Sequence, residues 1–233
     1  MRGVAIAFVA TVAILASTTT IAQQALFVWP HGARAAVSLA YDDALNSQLD
    51  VVVPALHQHG LKASFYLTLS SDTVRERLDA WRKVAAQGHE LGNHTLFHQC
   101  SRSLRDRGWV AAENDLDTTS VAQLVAQIRV GNTLLQAIDG RNERTFAAPC
   151  GDLKAAGQPY LETLKDDFVA MKSAFGGVVP DMNALDPYAV GVEIASDTTG
   201  LELIALVQRA AVAGTMINIT FHGVGGRLPV GIP

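Results

Sequence analysis

Cysteine is scarce in this sequence, which has two, Cys100 and Cys150, among 233 residues. So few cysteines exclude a small scaffold held together by disulfides, and a chain of this length has to fold around an apolar core. Basic charge is also limited, because 18 lysines and arginines face 22 acidic residues and give a net charge of −4. A mildly acidic chain is a poor candidate for binding nucleic acid, so no nucleic-acid partner is expected.

Long apolar runs are absent from the sequence except near its N-terminus. There, Arg2 precedes an apolar run over residues 4–16, and small and polar residues lead to Ala22. This layout is typical of a secretory signal peptide over residues 1–22, cleaved after Ala22. An uncleaved membrane anchor is the alternative, but the run is shorter than the roughly 20 residues that a span requires. The sequence therefore predicts a periplasmic or secreted protein, with no stable membrane span after cleavage and a single domain over residues 23–233.

Short apolar strands alternate along the mature chain with amphipathic helices. Strands are expected at 35–41, 62–69, 89–93, 144–148, 168–173, 190–195 and 215–221. Helices are expected at 47–59, 71–87, 120–138 and 201–213, and a glycine follows each of them within two residues. Such alternation favours an α/β fold with a parallel sheet or barrel.

Two histidines four residues apart, His94 and His98, carry the strongest chemical signal. At this spacing both imidazoles lie on one face of a helical turn, where they can bind one cation. A carboxylate from the Asp42–Asp43 pair would complete the ligand set and leave positions open for water and substrate. The second carboxylate would lie beside the cation, where it can act as a general base. The alternatives are a solvated helix face for the histidines and a turn cap for the aspartates.

The candidate residues share a position relative to the predicted strands. The Asp42–Asp43 pair, His94, Pro149–Cys150 and His222 each follow a strand end. In α/β barrels the active site lies at this end of the strands, so we expect these residues to meet at one edge. The pattern indicates a metal-assisted hydrolase. For His222 the alternative is a strand-end histidine whose ring is satisfied by backbone groups.

The two cysteines lie close to the candidate site in the sequence. Cys100 follows His98 by two residues, and Cys150 lies in a turn after a predicted strand. In an exported protein two thiols can pair, and a Cys100–Cys150 bridge would hold the histidine segment against the neighbouring loop. The alternative is two buried free thiols, since the distance between them cannot be obtained from the sequence.

Four short segments follow the order of the motifs of a known family. They are Ala40–Ala44 (AYDDA), His94–His98 (HTLFH), Ala147–Gly151 (AAPCG) and Thr220–His222 (TFH). In turn they resemble the TFDDG, H(S/T)xxH, RxPYG and LxH motifs of polysaccharide deacetylases of the NodB-homology type, also called carbohydrate esterase family 4. The resemblance extends over residues 35–223.

This resemblance implies a fold and a metal site. The fold is a distorted (β/α)7-type NodB barrel, here expected to be truncated at its C-terminus because only eleven residues follow His222. The ligands of a divalent metal, usually Zn²⁺, would be Asp43, His94 and His98. Two imidazoles and a carboxylate also suit Co²⁺, Ni²⁺ or Mn²⁺, so the identity of the metal stays open.

The resemblance also implies catalytic roles. Asp42 would deprotonate the metal-activated water, the backbone N–H of Cys150 would stabilise the oxyanion, and His222 would protonate the leaving group. Pro149 and Trp109 are the candidate substrate-binding residues, since an aromatic ring can stack on a sugar. The expected substrate is an acetylated polysaccharide or oligosaccharide, either an N-acetylglucosamine polymer or an O-acetylated polysaccharide.

Two positions depart from the family pattern. Ala147 occupies the place of the arginine that orients the catalytic base in the family, and Arg144 is a candidate substitute on the same predicted strand. The family's aspartate that tunes the acid histidine has no clear match, with Asp197 as the candidate. These departures leave a second hypothesis open, namely a non-catalytic carbohydrate-binding relative that retains the metal site.

Overall fold

The structure is a computed structural model that describes residues 26–225. The signal peptide predicted over residues 1–22 lies outside the described residues. Within residues 26–225, no helix is both long enough and apolar enough to cross a membrane.

Parallel strands form a closed barrel. The strands of the described chain are β1 (Ala36–Asp42), β2 (Ser64–Leu67), β3 (Glu90–Asn93), β4 (Thr145–Ala147), β5 (Lys154–Ala155), β6 (Gln158–Pro159), β7 (Ala170–Phe175), β8 (Val190–Ile194) and β9 (Met216–Phe221). The barrel order is β1, β2, β3, β4, β7, β8, β9, and β9 pairs with β1 to close it. The short antiparallel pair β5–β6 stands apart from the barrel. The predicted (β/α)7-type barrel is confirmed.

Helices pack around the barrel. They are α1 (Val53–Gln58), α2 (Asp72–Glu76), α3 (Leu78–Ala86), α4 (Val121–Asp139) and α5 (Gly200–Ala213). A π-helical turn, Gln48–Val52, leads directly into α1. The longest helix, α4, begins with a capping box between Ser120 and Gln123 and ends at Gly140, whose φ of 73° allows the chain to turn away.

The apolar core contains most of its buried residues where α1 to α4 cover β1 to β4. A first cluster joins Phe65 and Leu91 of the strands to Trp81 of α3 and Leu135 of α4. A second cluster lies between α4 and the strands β4 and β7. Its fully buried members include Ile128, Phe146, Leu164 and Met171. Under α5 the cluster of buried residues is smaller and consists of Leu206, Ala210, Ile217 and Ile219.

The single helix predicted over residues 71–87 is wrong, because Arg77 divides it into α2 and α3. The backbone of Arg77 is not helical, with a φ of −124°. Its guanidinium binds both carboxylate oxygens of Asp50, at 3.0 and 2.5 Å. This tertiary ion pair competes with local helix propensity, which is a weak force at any one residue.

Candidate functional site

The Asp42–Asp43 pair lies where β1 ends. Asp42 is the last residue of the strand, and Asp43 and Ala44 follow with φ values of 79° and 58°, which few non-glycine residues adopt. The Asp43 amide donates a hydrogen bond of 3.1 Å to the Tyr66 carbonyl on β2. This left-handed turn keeps both carboxylates at the carboxyl end of the barrel, where Asp42 is 7% and Asp43 8% exposed.

Asp43 lies beside two imidazoles. Its Oδ1 is 3.4 Å from Nε2 of His94 and 3.2 Å from Nε2 of His98. Ligand atoms bound at about 2.1 Å to a tetrahedral cation lie about 3.4 Å from one another, so these side chains have the spacing of a ligand set. Neither carboxylate oxygen of Asp43 has a hydrogen-bond donor among the described residues. Burying a carboxylate that accepts no hydrogen bond is costly, and a cation at this point would offset that cost.

Charges within this group favour the ionised carboxylate. Burial alone would raise the pKa of Asp43, but the adjoining His94 and His98 hold that pKa well below its usual range. Burial alone would lower the pKa of His94, whereas Asp42 and Asp43 raise it above its usual value. The carboxylates thus stabilise positive charge at this point, whether an imidazolium or a metal ion carries it.

The ring of His94 is oriented by the backbone of a neighbouring strand. Its Nδ1 lies 2.8 Å from the carbonyl oxygen of Ala147, the last residue of β4. With the ring proton assigned to Nδ1, this contact is a donated hydrogen bond and leaves the Nε2 lone pair on the side of Asp43. A metal-binding histidine commonly has such a partner for its second nitrogen.

The segment from His94 to His98 is a loop, so the prediction that a helical turn presents the histidines is wrong. Thr95 and His98 have φ values of 65° and 51°, outside the right-handed helical region. The Asn93 side chain accepts a hydrogen bond from the Thr95 amide at 2.8 Å, and the Thr95 hydroxyl accepts one from the His98 amide at 3.0 Å. These local side-chain-to-backbone bonds replace helical hydrogen bonds. The loop, and not a helical turn, brings both Nε2 atoms to Asp43.

The three side chains fit a divalent cation. Asp43, His94 and His98 each offer one ligand atom, and these atoms lie within 4.8 Å of one another. Two nitrogens and one oxygen suit Zn²⁺ and also Co²⁺, Ni²⁺ or Mn²⁺, and they leave positions for water and substrate. A second group, His98 with Cys100 and Cys150, offers no thiolate because the two sulfurs are joined.

A lysine that sequence reasoning missed binds the carboxylate of Asp42. Nζ of Lys172, on β7, lies 2.7 Å from Oδ1 of Asp42, and the two side chains are 5% and 10% exposed. Burial lowers the pKa of Lys172, and the charge of Asp42 opposes that shift. The available signal was a single charged residue within the apolar strand predicted over 168–173, since lysine is rarely buried without a partner.

Arg144, the candidate substitute for the family's arginine, is not at this site. Its guanidinium lies 3.2 Å from a carboxylate oxygen of Asp139 and donates to the Leu91 carbonyl at 2.8 Å. Both side chains of the Arg144–Asp139 pair are 1% exposed. Arg144 therefore joins the end of α4 to β3, and the suggestion that it orients the base is wrong.

His222 follows β9 directly, beside the end of β1. Its ring lines the same cavity as Asp42 and His94, and burial lowers its pKa, with Asp43 and Asp42 opposing the shift. The buried Gln48 side chain donates hydrogen bonds to the backbone carbonyls of Asp42 at 2.5 Å and His222 at 3.2 Å. Gln48 thus fixes the two strand ends relative to each other.

Asp197, the candidate for tuning the acid histidine, lies in an exposed loop after β8. The carboxylates whose charges act on the pKa of His222 are those of Asp43 and Asp42. The structure therefore places two other carboxylates near the histidine and gives Asp197 no such position.

A disulfide lies beside the candidate metal ligands and borders the cavity through Cys150. Cys100 and Cys150 are joined, with their Cα atoms 6.0 Å apart, so the loop after β3 is tied to the turn after β4. Cys150 has a φ of 59° and lines the cavity, while Pro149 is buried in the same turn. The Trp109 ring lies 6.3 Å from that of His98 between centroids and is 38% exposed, so Trp109 lies beside one of the candidate ligands and is open to solvent.

Apolar side chains of β7 and β8 form another wall of the cavity, namely Phe175, Val192 and Ile194. Phe175 is 71% exposed, and its ring lies so close to Gly151 that an added Cβ there would be 2.6 Å from Phe175 Cζ. Sequence reasoning missed these residues because apolar side chains in strands are ordinary. The cavity can hold an apolar group beside charged side chains.

Residues 30–165 match the family described as polysaccharide deacetylase. This segment includes the Asp42–Asp43 pair, His94, His98 and Cys150, and it ends before Lys172 and His222. The match therefore covers more than half of the chain and all three candidate metal ligands.

Two curated relatives align with part of the chain. It is 29% identical over 124 residues to a gellan lyase from Bacillus sp and 26% identical over 141 residues to a chitin deacetylase from Colletotrichum lindemuthianum. The alignments cover 53% and 56% of this chain but 4% and 51% of those proteins. The chain thus spans about half the length of one relative and a small part of the other.

A solved structure shares the architecture. A probable polysaccharide deacetylase from Pseudomonas aeruginosa PAO1 superimposes with a TM-score of 0.58 and 10% sequence identity, over 84% of this chain and 79% of that one. At such identity the likeness establishes the barrel fold alone. Since the family match extends over most of the barrel and contains the aspartate pair and both histidines, this chain belongs to the polysaccharide deacetylase family.

Proposed function

We propose that this protein is an exported, metal-dependent hydrolase that removes acetyl groups from an acetylated polysaccharide or oligosaccharide. The observation that carries the proposal is the convergence of Asp43, His94 and His98, in which one carboxylate oxygen lies 3.4 and 3.2 Å from two imidazole nitrogens. The family supports an acetylated sugar as substrate. The substrate class is an N-acetylglucosamine polymer or an O-acetylated polysaccharide, and the relative named chitin deacetylase supports the first.

Each charged side chain of the site has a role in this reaction. A divalent cation held by Asp43, His94 and His98, with Zn²⁺ as the proposed metal, would polarise the acetyl carbonyl and lower the pKa of water. Asp42 accepts a proton from the attacking water. His222 donates a proton to the leaving nitrogen or oxygen. Burial lowers the pKa of His222, which makes its imidazolium a stronger acid and eases that donation.

The walls of the cavity hold the substrate in this proposal. The backbone N–H of Cys150 donates to the oxyanion that develops from the carbonyl oxygen. Trp109, exposed beside His98, stacks on a sugar ring, and Pro149 shapes the turn that carries the N–H group. Phe175 faces the acetyl methyl group from the apolar wall.

Export is the proposed localisation, either to a periplasm or to the outside of the cell. It rests on the signal-peptide layout of residues 1–22. The Cys100–Cys150 disulfide supports it, because disulfides persist in oxidising compartments and are rare in the cytosol.

The second candidate is a carbohydrate-binding relative that retains the metal site without turnover. Ala147 favours it, because an alanine cannot orient a catalytic base from that position. Acetate release from acetylated chito-oligosaccharides and acetylated xylan distinguishes the two functions. Protein stripped with a chelator is compared with protein reloaded with Zn²⁺ or Co²⁺.

The expected result is acetate release that depends on metal. His94→Ala should abolish both metal binding and release, whereas Asp42→Asn should lower kcat about 10²- to 10⁴-fold and leave metal binding intact. The exposed His57, replaced by alanine, is the matched control and should change neither quantity. No acetate from protein with metal demonstrably bound would contradict the deacetylase and favour the binding relative.

A further inference from the structure

Lys172 has no part in the reaction outlined above, yet it makes a short contact with the proposed base. We infer that Lys172 is the positioning residue of Asp42, and that its ammonium group holds the Asp42 carboxylate in the orientation that accepts a proton from water. This inference rests on the proposed function, because that function gives Asp42 the role of base.

The contact has the geometry of an orienting bond. Nζ of Lys172 lies 2.7 Å from Oδ1 of Asp42, and both side chains line the same cavity. Among the described residues, Lys172 is the only side chain that donates to this carboxylate. A charge-assisted hydrogen bond of this length is strong and directional in a buried setting. One carboxylate oxygen is therefore engaged by the lysine, and the other is left for the water.

The ammonium group is itself held in place. Nζ of Lys172 lies 4.1 Å from the centroid of the Tyr66 ring, within the range of a cation–π contact. The Tyr66 hydroxyl and the Thr145 hydroxyl are hydrogen-bonded at 2.8 Å. The ring also packs on Gly92, where an added Cβ would lie 2.5 Å from Tyr66 Cδ1. A lysine that contacts a fixed ring and a carboxylate has little freedom to move.

The other cations near the site are engaged elsewhere. Arg107 lines the cavity, but its guanidinium binds the Asp152 carboxylate at 3.2 Å and the Cys150 carbonyl at 3.3 Å. Arg144 is paired with Asp139 away from the cavity. Lys172 is thus the cation that the described barrel provides for the base.

The position of Lys172 in the sheet accounts for the alanine on β4. Ala147 and Lys172 are paired in register on the adjacent strands β4 and β7. Paired residues of parallel neighbours point to the same side of a sheet, so the two side chains share one region of the barrel interior. Ala147 is 1% exposed, and its small side chain leaves space for the lysine. The positive charge beside the base comes from β7 instead of β4.

Kinetics and metal binding test the inference on the metal-loaded protein. Lys172→Met should lower kcat for acetate release about 10- to 100-fold, with KM and the Zn²⁺ dissociation constant changed less than about twofold. Lys172→Arg, which retains the charge, should recover part of kcat. In the Asp42→Asn background, Lys172→Met should cause no further loss, because the lysine acts through the carboxylate. Equal losses in both backgrounds, or lost metal affinity, would overturn the inference.

A matched control separates this role from a general effect of losing a lysine. Lys165 also lies over a tyrosine ring, 5.4 Å from the centroid of Tyr188, and pairs with Glu162 at 2.8 Å, but on the surface. Lys165→Met should leave kcat unchanged. If Lys172→Met does not fold, Lys172→Gln, which keeps a donor without the charge, replaces it.

A crystal structure of the Lys172→Met variant distinguishes failure of this inference from failure of the proposed function. The Asp42 carboxylate should turn away from its native orientation in this variant and keep it in Lys172→Arg. If the native protein releases no acetate, the proposed function fails, and the orientation of the carboxylate still decides the role of Lys172. An unmoved Asp42 in Lys172→Met would overturn that role.

Discussion

The two halves of the barrel differ in the size of the buried apolar cluster that supports them. The first half, residues 36–147 with β1 to β4, supplies the candidate ligands and contains all buried residues of the largest apolar cluster. The second half, residues 170–221 with β7 to β9, supplies Lys172 and leads into His222, and the cluster under its helix α5 has only four buried residues. It also leaves large apolar side chains exposed, including Phe175, Leu201 and Val212. The candidate metal ligands thus belong to the half with the larger apolar cluster, whereas Lys172 and His222 belong to the half with the smaller one.

A matched pair of leucine truncations would test this contrast most strongly. Leu135 of α4 is 0% exposed and Leu206 of α5 is 8% exposed. Leu135→Ala should lower the free energy of unfolding by about 3–5 kcal/mol, because closely packed neighbours cannot fill the cavity. Leu206→Ala should cost about 2–3 kcal/mol, since the smaller cluster relaxes more easily. Urea unfolding followed by circular dichroism measures both, and equal losses would remove the distinction between the halves.

The disulfide offers a second test of the first half, because it ties the loop after β3 to the turn that follows β4. Replacing Cys100 and Cys150 by serine should lower the free energy of unfolding by about 2–4 kcal/mol, since the unfolded chain loses a closed loop. The bridge spans a sequence separation of 50 residues. Reducing agent should cause the same loss in the native protein and none in the double variant. A double variant as stable as the oxidised native protein would contradict the expectation.

Buried His89 gives the smallest expected effect, again in the first half. It is 1% exposed, and its Nδ1 accepts a hydrogen bond of 3.2 Å from the Ala63 amide. Burial, helped by the charges of Lys62 and His57, lowers its pKa below the usual value. The unfolded chain therefore binds a proton that the folded one resists. This contribution to stability is complete above about pH 6.5 and is lost as the pH falls through the folded pKa.

The measurement is the free energy of unfolding between pH 7 and pH 5. His89 should contribute a decrease of at most about 1.4 kcal/mol per pH unit on acidification. His89→Asn keeps an acceptor near the Ala63 amide and removes the titration, so its profile should be flatter. An identical slope for the variant and the native protein would exclude this role for His89.

Much of the fold and of the candidate ligand set could be predicted from the sequence, because these signals are local. The helix predicted over 120–138 is α4, and the strand predicted over 215–221 is β9, each within one residue at either end. The Asp42–Asp43 pair, His94 and His98 are distinctive residue types in short motifs at strand ends. Parallel strands bring such ends to one edge, so a correct order of strands was enough to bring these residues together.

What the sequence did not reveal depends on contacts between distant segments. Lys172 meets Asp42 only through the register of β7 in the barrel, and register cannot be read from a run of six residues. The loop from His94 depends on Gly131 of α4, where an added Cβ would lie 2.9 Å from Nδ2 of Asn93. That close approach lets Asn93 donate to the Ile128 carbonyl at 2.9 Å and hold the loop in a non-helical form.

Closure of the barrel by its first and last strands has a consequence for the order of folding. Ala36 of β1 pairs with Met216 of β9, about 180 residues away along the chain. Contacts between such distant residues form slowly, because the chain loses the entropy of a long loop before the strand contacts contribute favourable free energy. Asp42 and His222, which Gln48 bridges, can meet only after β9 has been synthesised and docked. A nascent chain can thus assemble the candidate ligands early, while its proposed base and acid come together in the final step of folding.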